Sequence, residues 1–241
     1  MAFIGVIPAR YASTRFPGKP LALIHGKPMI QWVYERASLA HLQKVVVATD
    51  DQRIFDATKA FGGEVVMTAS THQSGTERCA EVAEILHLNE EDVVINIQGD
   101  EPYIHPESIQ LLVEMFDSPQ VQIATLAKEF LPEEDPLNPN MVKVVRSSSN
   151  RALLFSRSPI PYYRNNEVEQ QYLKHIGIYA YRYPVLEKIV HLPVSHLENA
   201  EKLEQLRWLE NDFPIFVSLC HFESIAIDTP EDLVRANEVS L

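Results

Sequence analysis

Between Phe3 and Ile97, short apolar runs alternate with amphipathic stretches of helical period, and this alternation narrows the possible folds more than any other feature of the chain. Phe3–Ile7, Lys44–Thr49, Glu64–Met67 and Val93–Ile97 read as buried strands. Between them, Pro28 opens a helix with Ile30, Val33, Tyr34 and Ala37 on one face. A second helix passes through Ile54, Phe55 and Ala57, and a third places Cys79, Val82, Ala83 and Leu86 at the 3.6-residue period. Strand and helix in strict alternation predict an α/β fold, an open and mostly parallel sheet flanked by helices.

Beyond about residue 120 the alternation loosens. Val121–Leu126, Val142–Val145, Ala152–Phe155, His175–Tyr181 and Ile215–Leu219 read as strands, and Glu198–Glu210 as one acidic helix burying Leu203, Leu206 and Leu209. Pro230 starts a terminal helix, and residues 159–171, rich in Pro, Tyr, Asn and Glu, read as a surface excursion. With no repeat, low-complexity tract or linker, the expectation is a single domain over 1–241 with an inserted smaller subregion at about 140–180.

Composition limits the partners. A net charge of −12, from 33 acidic and 21 basic residues, disfavours DNA or RNA. No run approaches the roughly 20 apolar residues of a membrane span. The start Met1–Pro8 has no secretory character, and Cys79 and Cys220 lack ligand spacing. A cytoplasmic protein with reduced thiols and no membrane partner is expected.

Against this acidic background, Arg10, Arg15 and Lys19 fall within ten residues directly after the first strand, with small residues such as Ser13 between them. Loops at the carboxyl ends of parallel strands form the ligand crevice of such sheets. Guanidinium forks and an ammonium there suit phosphate oxygens, although the same composition also describes a solvated basic loop. The loop matches neither a P-loop nor a dinucleotide fingerprint. Gln98-Gly99-Asp100 ends the most apolar strand, and Asp228 follows the run Ile225–Ile227. Two aspartates from such distant segments could share one Mg²⁺. Asp228 also reads as a helix cap, unless Thr229 takes that role; Asp100 also reads as a turn residue. One of Asp50 and Asp51 is expected to cap the helix after the second strand. In His72–Arg78, Ser74, Gly75 and Thr76 open the third helix, where capping and anion binding are compatible roles.

The stretch Ile7–Leu21, reading IPARYASTRFPGKPL, resembles the opening signature of the 3-deoxy-manno-octulosonate (Kdo) cytidylyltransferases, also called CMP-Kdo synthetases. The strings HQSGTER at His72–Arg78, FSR at Phe155–Arg157, HIGIY at His175–Tyr179 and LEQLR at Leu203–Arg207 are similar to that family's motifs and stand in its order. The resemblance runs from Ile7 to Leu233 and weakens at 128–140 and 159–171. It implies a nucleotide-diphospho-sugar transferase-like fold and transfer of CMP from CTP to the anomeric 2-hydroxyl of Kdo, with pyrophosphate released, for lipopolysaccharide synthesis. It further implies Mg²⁺ on Asp100 and Asp228, and a homodimer. Nucleotide contacts would fall to Arg10, Ser13, Lys19, Ser74, Gly75, Thr76 and Arg78, the last of which would otherwise stabilise its loop. Sugar contacts would fall to Arg15, Gln98, Arg157, His175, Tyr179, Glu204 and Gln205, and transition-state charge to Arg10, Arg15 and Lys19. Other readings are a cytidylyltransferase for 8-amino-Kdo or a sialic acid, a nucleotidyltransferase for a neutral sugar phosphate, and a nucleotide-binding domain without turnover.

Overall fold

A computed structural model of the chain describes residues 1–12, 16–165, 167–222 and 226–238. The chain folds as two compact units: Met1–Gln110 with Arg182–Leu186 and Phe222–Leu241, and Leu111–Tyr181 with Glu187–His221.

Along the chain, β1 (Phe3–Ala9) leads through a 3₁₀ turn (Lys19–Leu21) and a two-residue hairpin, β2 (Leu23–Ile24) and β3 (Lys27–Pro28), into α1 (Met29–Ser38). Then follow β4 (Lys44–Thr49), α2 (Gln52–Ala60), β5 (Val65–Met67), α3 (Gly75–Ile85), β6 (Val93–Asn96) and α4 (Pro106–Met115). In the first unit β1 pairs with β4 on one side and β6 on the other, and β4 with β5, every pair parallel. The central strands are continuous apolar runs because a parallel sheet is covered on both faces. Met29, Ile30, Val33 and Ala37 of α1 are fully buried, each large side chain contributing about 1.5–3 kcal/mol. Asp51 caps α2, its carboxylate accepting from the Arg53 N–H, so of the two candidate aspartates the second is the cap.

The second unit contains β7 (Ile123–Glu129), β8 (Lys143–Arg146), β9 (Ala152–Ser156) and β10 (Leu173–Arg182). After α5 (Tyr183–Val190), α6 (His196–Glu201) and α7 (Glu204–Glu210) comes β11 (Ile215–Leu219). Here β7 lies parallel to β11 and antiparallel to β10, and β8 joins β10 to β9 in antiparallel pairs. The stretch 140–180 falls within this unit. The chain closes with α8 (Pro230–Glu238) back in the first unit.

Glu198–Glu210, expected as one helix, is two. Ser195 caps α6 in a full capping box with Glu198, and Lys202 ends it in the left-handed region at φ 54°. Helix α7 then restarts at Glu204, burying Gln205, Leu206, Arg207 and Trp208 and leaving Leu209 half-exposed. The Arg207 guanidinium reaches back to the Glu198 carboxylate, 2.7 Å from Nε to Oε2, which holds the corner. Both cysteines are buried thiols, not joined in a disulfide. Among the described residues no helix is long and apolar enough to cross a membrane.

Candidate active site

A pocket in the first unit is built at the carboxyl ends of β1 and β6. Arg10 follows the last residue of β1 and stands exposed at the pocket wall. The chain then loops back on itself: the Gly18 N–H donates to the Tyr11 carbonyl at 2.9 Å. Gly18 sits at φ 72°, where a Cβ would also meet the Tyr11 ring at 3.1 Å, so glycine suits the position on two counts. The Arg53 guanidinium lies 3.3 Å over that ring and pairs with Asp51, tying the loop to the start of α2. This loop delivers Lys19 into the pocket from the 3₁₀ turn, with Pro20 buried beneath it. Ser13 and Arg15 lie outside the described residues.

Opposite stand the two aspartates. Gly99 passes so close to the end of β1 that a Cβ there would lie 2.8 Å from the Pro8 carbonyl oxygen. Gln98 and Asp100 are thereby turned into the pocket. The Asp100 carbonyl accepts from the Ile227 N–H at 2.9 Å, and Ile227 is fully buried with Ile24, Met29 and Ala236. That one backbone bond brings Asp228 beside Asp100. Thr229, not Asp228, caps α8: its hydroxyl accepts from the Asp232 N–H at 3.2 Å, while Asp232 accepts from the Asp228 and Thr229 N–H groups at 3.0 and 2.9 Å. Burial opposes ionisation of Asp232, yet these N–H donors and Arg235 outweigh it and lower its pKa to about 2.

With the cap made elsewhere, Asp228 is directed into the pocket. The Lys19 Nζ donates to Asp100 Oδ2 at 2.8 Å and to Asp228 Oδ1 at 3.2 Å. Two carboxylates thus converge on one cationic centre, a donor set that fits Mg²⁺, which uses one or two carboxylates and completes its shell with water and phosphate oxygens. Among the described residues no group of three or more His, Cys, Asp or Glu could hold a metal, so phosphate and water would supply the remaining ligands.

The third wall is the start of α3. Ser74 caps it, accepting from the Glu77 N–H at 3.1 Å, and Gly75 lies against Pro8. Thr76 is buried and does not line the pocket. Arg78 does line it, but its guanidinium is only 3% exposed and is held by Thr68 and by Asp50, the latter at 3.2 Å. Its visible role is to fix the floor of the pocket. Sequence reasoning gave His72 no role of its own and weighed Asp50 only as a helix cap. His72 Nε2 lies 2.6 Å from Glu81 Oε2 and its Nδ1 3.6 Å from Glu77 Oε2. The signal was available, since Glu77 and Glu81 are four apart and share one face of α3.

The remaining candidates belong to the second unit. His175 and Tyr179 stand across from Ala127 and Thr125, because the register slips between Ile176 and Tyr179. Two extra residues, Gly177 and Ile178, keep both side chains on one face and bring their rings to 5.4 Å. His175 Nε2 lies 3.1 Å from the Thr125 hydroxyl, and the Phe155 ring meets it edge-on at 4.9 Å. Burial pushes its pKa down to about 3, and burial also raises the Tyr179 phenol. Glu204 and Gln205 occupy the first turn of α7, Gln205 buried. The Arg157 guanidinium is largely engaged by backbone carbonyls, of Glu201 at 2.6 Å from Nε and of Pro139 at 2.8 Å from Nη1. The Glu201 carboxylate accepts from the Arg157 N–H at 2.6 Å and the Ser156 hydroxyl at 2.6 Å.

His175 carries a pH prediction. Its folded pKa lies below the unfolded value of about 6.5, so the unfolded chain binds the extra proton. Its contribution to stability is complete above pH about 6.5 and is lost as pH falls from there toward 3. Urea midpoints should therefore fall more steeply between pH 6.5 and 4.5 in the native chain than in His175→Gln. Parallel slopes would remove the histidine from the acid response.

Comparison with known proteins shows the family. The cytidylyltransferase family profile matches residues 4–219. The 3-deoxy-manno-octulosonate cytidylyltransferase of Parabacteroides distasonis is 54% identical, over 98% of this chain and 97% of its own length. The enzyme of the same name from Thermodesulfovibrio yellowstonii is 50% identical, over 99% and 98%. A solved structure described as CMP:2-keto-3-deoxy-manno-octonic acid synthetase complexed with CTP superposes with a TM-score of 0.92 at 46% identity, covering 99% of this chain and 98% of that one. The chain is a member of the 3-deoxy-manno-octulosonate cytidylyltransferase family, a nucleotidyltransferase on an open, mostly parallel sheet flanked by helices.

Proposed function

We propose that the chain transfers CMP from CTP to the anomeric 2-hydroxyl of Kdo in a Mg²⁺-dependent reaction, releasing pyrophosphate. The observation that carries the reading is the meeting of Lys19, Asp100 and Asp228 in the pocket that Arg10 and Ser74 also line. The triphosphate binds where Arg10 and Lys19 supply positive charge. The polar start of α3, with Ser74 and Gly75 at the wall, accepts the rest of the nucleotide. Gln98 offers an amide to the acceptor sugar. Arg157, Tyr179, Glu204 and Gln205 are assigned to its carboxylate and hydroxyls, with His175 as a neutral imidazole partner.

Asp100 and Asp228 would hold Mg²⁺, which when bound neutralises phosphate charge and lowers the pKa of the attacking hydroxyl. The residues otherwise work by placement. They hold the sugar hydroxyl in line with the α-phosphorus, and Arg10 and Lys19 stabilise charge growing on the phosphate oxygens. The hydroxyl gives up its proton to solvent water as its oxygen forms a bond to the α-phosphorus, the α–β bridging bond breaks, and pyrophosphate carries the electron pair away. No side chain is required as a general base, and His175, poorly basic and buried, is unsuited to that role.

The enzyme is assigned to the cytoplasm as a homodimer, with the second subunit's contacts drawn from about 140–180; light scattering measures the assembly. Pyrophosphate release over a matrix of nucleotides with Kdo, 8-amino-Kdo, a sialic acid and a neutral sugar phosphate tests the chemistry. The strongest signal should come from CTP with Kdo, and a product of the mass of CMP-Kdo should form. Preference for another sugar would reassign the acceptor, and CTP binding without product would leave only a nucleotide-binding domain.

A further inference from the structure

We propose that Lys19 is a built-in counter-ion that occupies the Asp100–Asp228 pair in the empty enzyme and gives it up only when a triphosphate draws its ammonium away, so that nucleotide and divalent cation bind cooperatively. The inference rests on the metal role assigned to those aspartates above.

The Lys19 Nζ bonds both carboxylates at once, 2.8 Å from Asp100 and 3.2 Å from Asp228. The partners come from segments 81 and 209 residues away in sequence; Lys19 is only 13% exposed, while the two carboxylates stay open enough to the pocket for a cation to reach them. A divalent cation shared by the same carboxylates would compete for the lone pairs that the ammonium uses and would repel it at close range. The lysine can leave: its charge rides on four rotatable methylenes, and Arg10 in the same pocket marks where phosphate oxygens would offer it new partners. One cation thus moves from carboxylate to phosphate as another arrives. By linkage, CTP then tightens cation binding by the factor by which the cation tightens CTP.

The competing account makes Lys19 a strut that holds the aspartates together. Asp228 has other anchors: the Ile227–Asp100 backbone bond, the burial of Ile227 and the Tyr103 hydroxyl on the Ala236 carbonyl at 2.7 Å. The two accounts predict opposite signs for one substitution.

Free Mn²⁺ is titrated by electron paramagnetic resonance against the full chain without nucleotide, for the native protein, Lys19→Met and Asp100→Asn. Removing the ammonium should tighten Mn²⁺ binding by about tenfold or more. Lys19→Met should also melt lower than native without cation, and Mn²⁺ should raise its melting temperature by more than it raises the native one. Equal or weaker Mn²⁺ binding by folded Lys19→Met overturns the proposal. If Mn²⁺ binding with CTP present still depends on Asp100, only the lysine exchange falls. If Asp100→Asn binds Mn²⁺ as the native chain does under every condition, the metal assignment falls with it.

Discussion

Asp100→Ala should fold and bind CTP yet lose turnover by about a thousandfold or more, the scale set by removing a preorganised charge from a transition state. The fold should survive because the backbone carbonyl of Asp100, not its carboxylate, holds the C-terminal segment through Ile227. The Asp100 side chain bonds to Lys19, which retains Asp228. A partly exposed ion pair of this kind is worth about 1 kcal/mol or less, so the melting temperature should move by only a few degrees. Asp100→Asn should be nearly as inactive, since it preserves shape and removes charge. Single-turnover rates with CTP and Kdo, beside thermal melts, separate the two effects. A variant keeping a tenth of native turnover would remove Asp100 from the chemistry.

The largest loss of stability should come from Trp208→Ala. Trp208 is 1% exposed, and Tyr179 and Tyr181 meet its ring edge-on at centroid distances of 5.1 and 5.5 Å. Deleting a buried aromatic of this size costs about 3–5 kcal/mol, because the cavity collapses only in part. The effect should reach the sugar as well. Trp208 is one turn along α7 from Glu204 and Gln205, so its loss loosens the helix that carries these two residues proposed for the sugar. A variant that folds should show a raised KM for Kdo with little change in that for CTP. Urea unfolding followed by far-ultraviolet circular dichroism reads the stability, and a loss below about 1 kcal/mol would contradict the packing argument.

How much of this was legible in the sequence depended on whether the determining contacts were local. β1, β4 and β6 were readable because an uninterrupted apolar run leaves few alternatives in a parallel sheet. The break at Lys202 was hidden by Leu203 and Leu206, which continue the helical period across it. Ser195-x-x-Glu198 was a visible capping box that placed the true start of α6. The bulge at Gly177–Ile178 has no period of its own, yet it decides how close His175 and Tyr179 come. At the active site, residue types could be nominated one segment at a time. The Lys19 bridge could not, because it depends on the Ile227–Asp100 bond between distant segments. The pairing of Arg78 with Asp50 likewise joins the start of α3 to the end of β4, a contact between segments that no local pattern reveals.

The most direct measurement is a crystal structure with CTP and Mn²⁺ in which anomalous scattering locates the ion. The account predicts a peak shared by the carboxylates of Asp100 and Asp228, with the Lys19 ammonium moved onto the triphosphate. CTP seated in the pocket while Lys19 still bridges the two aspartates, and no anomalous peak beside them, would contradict it.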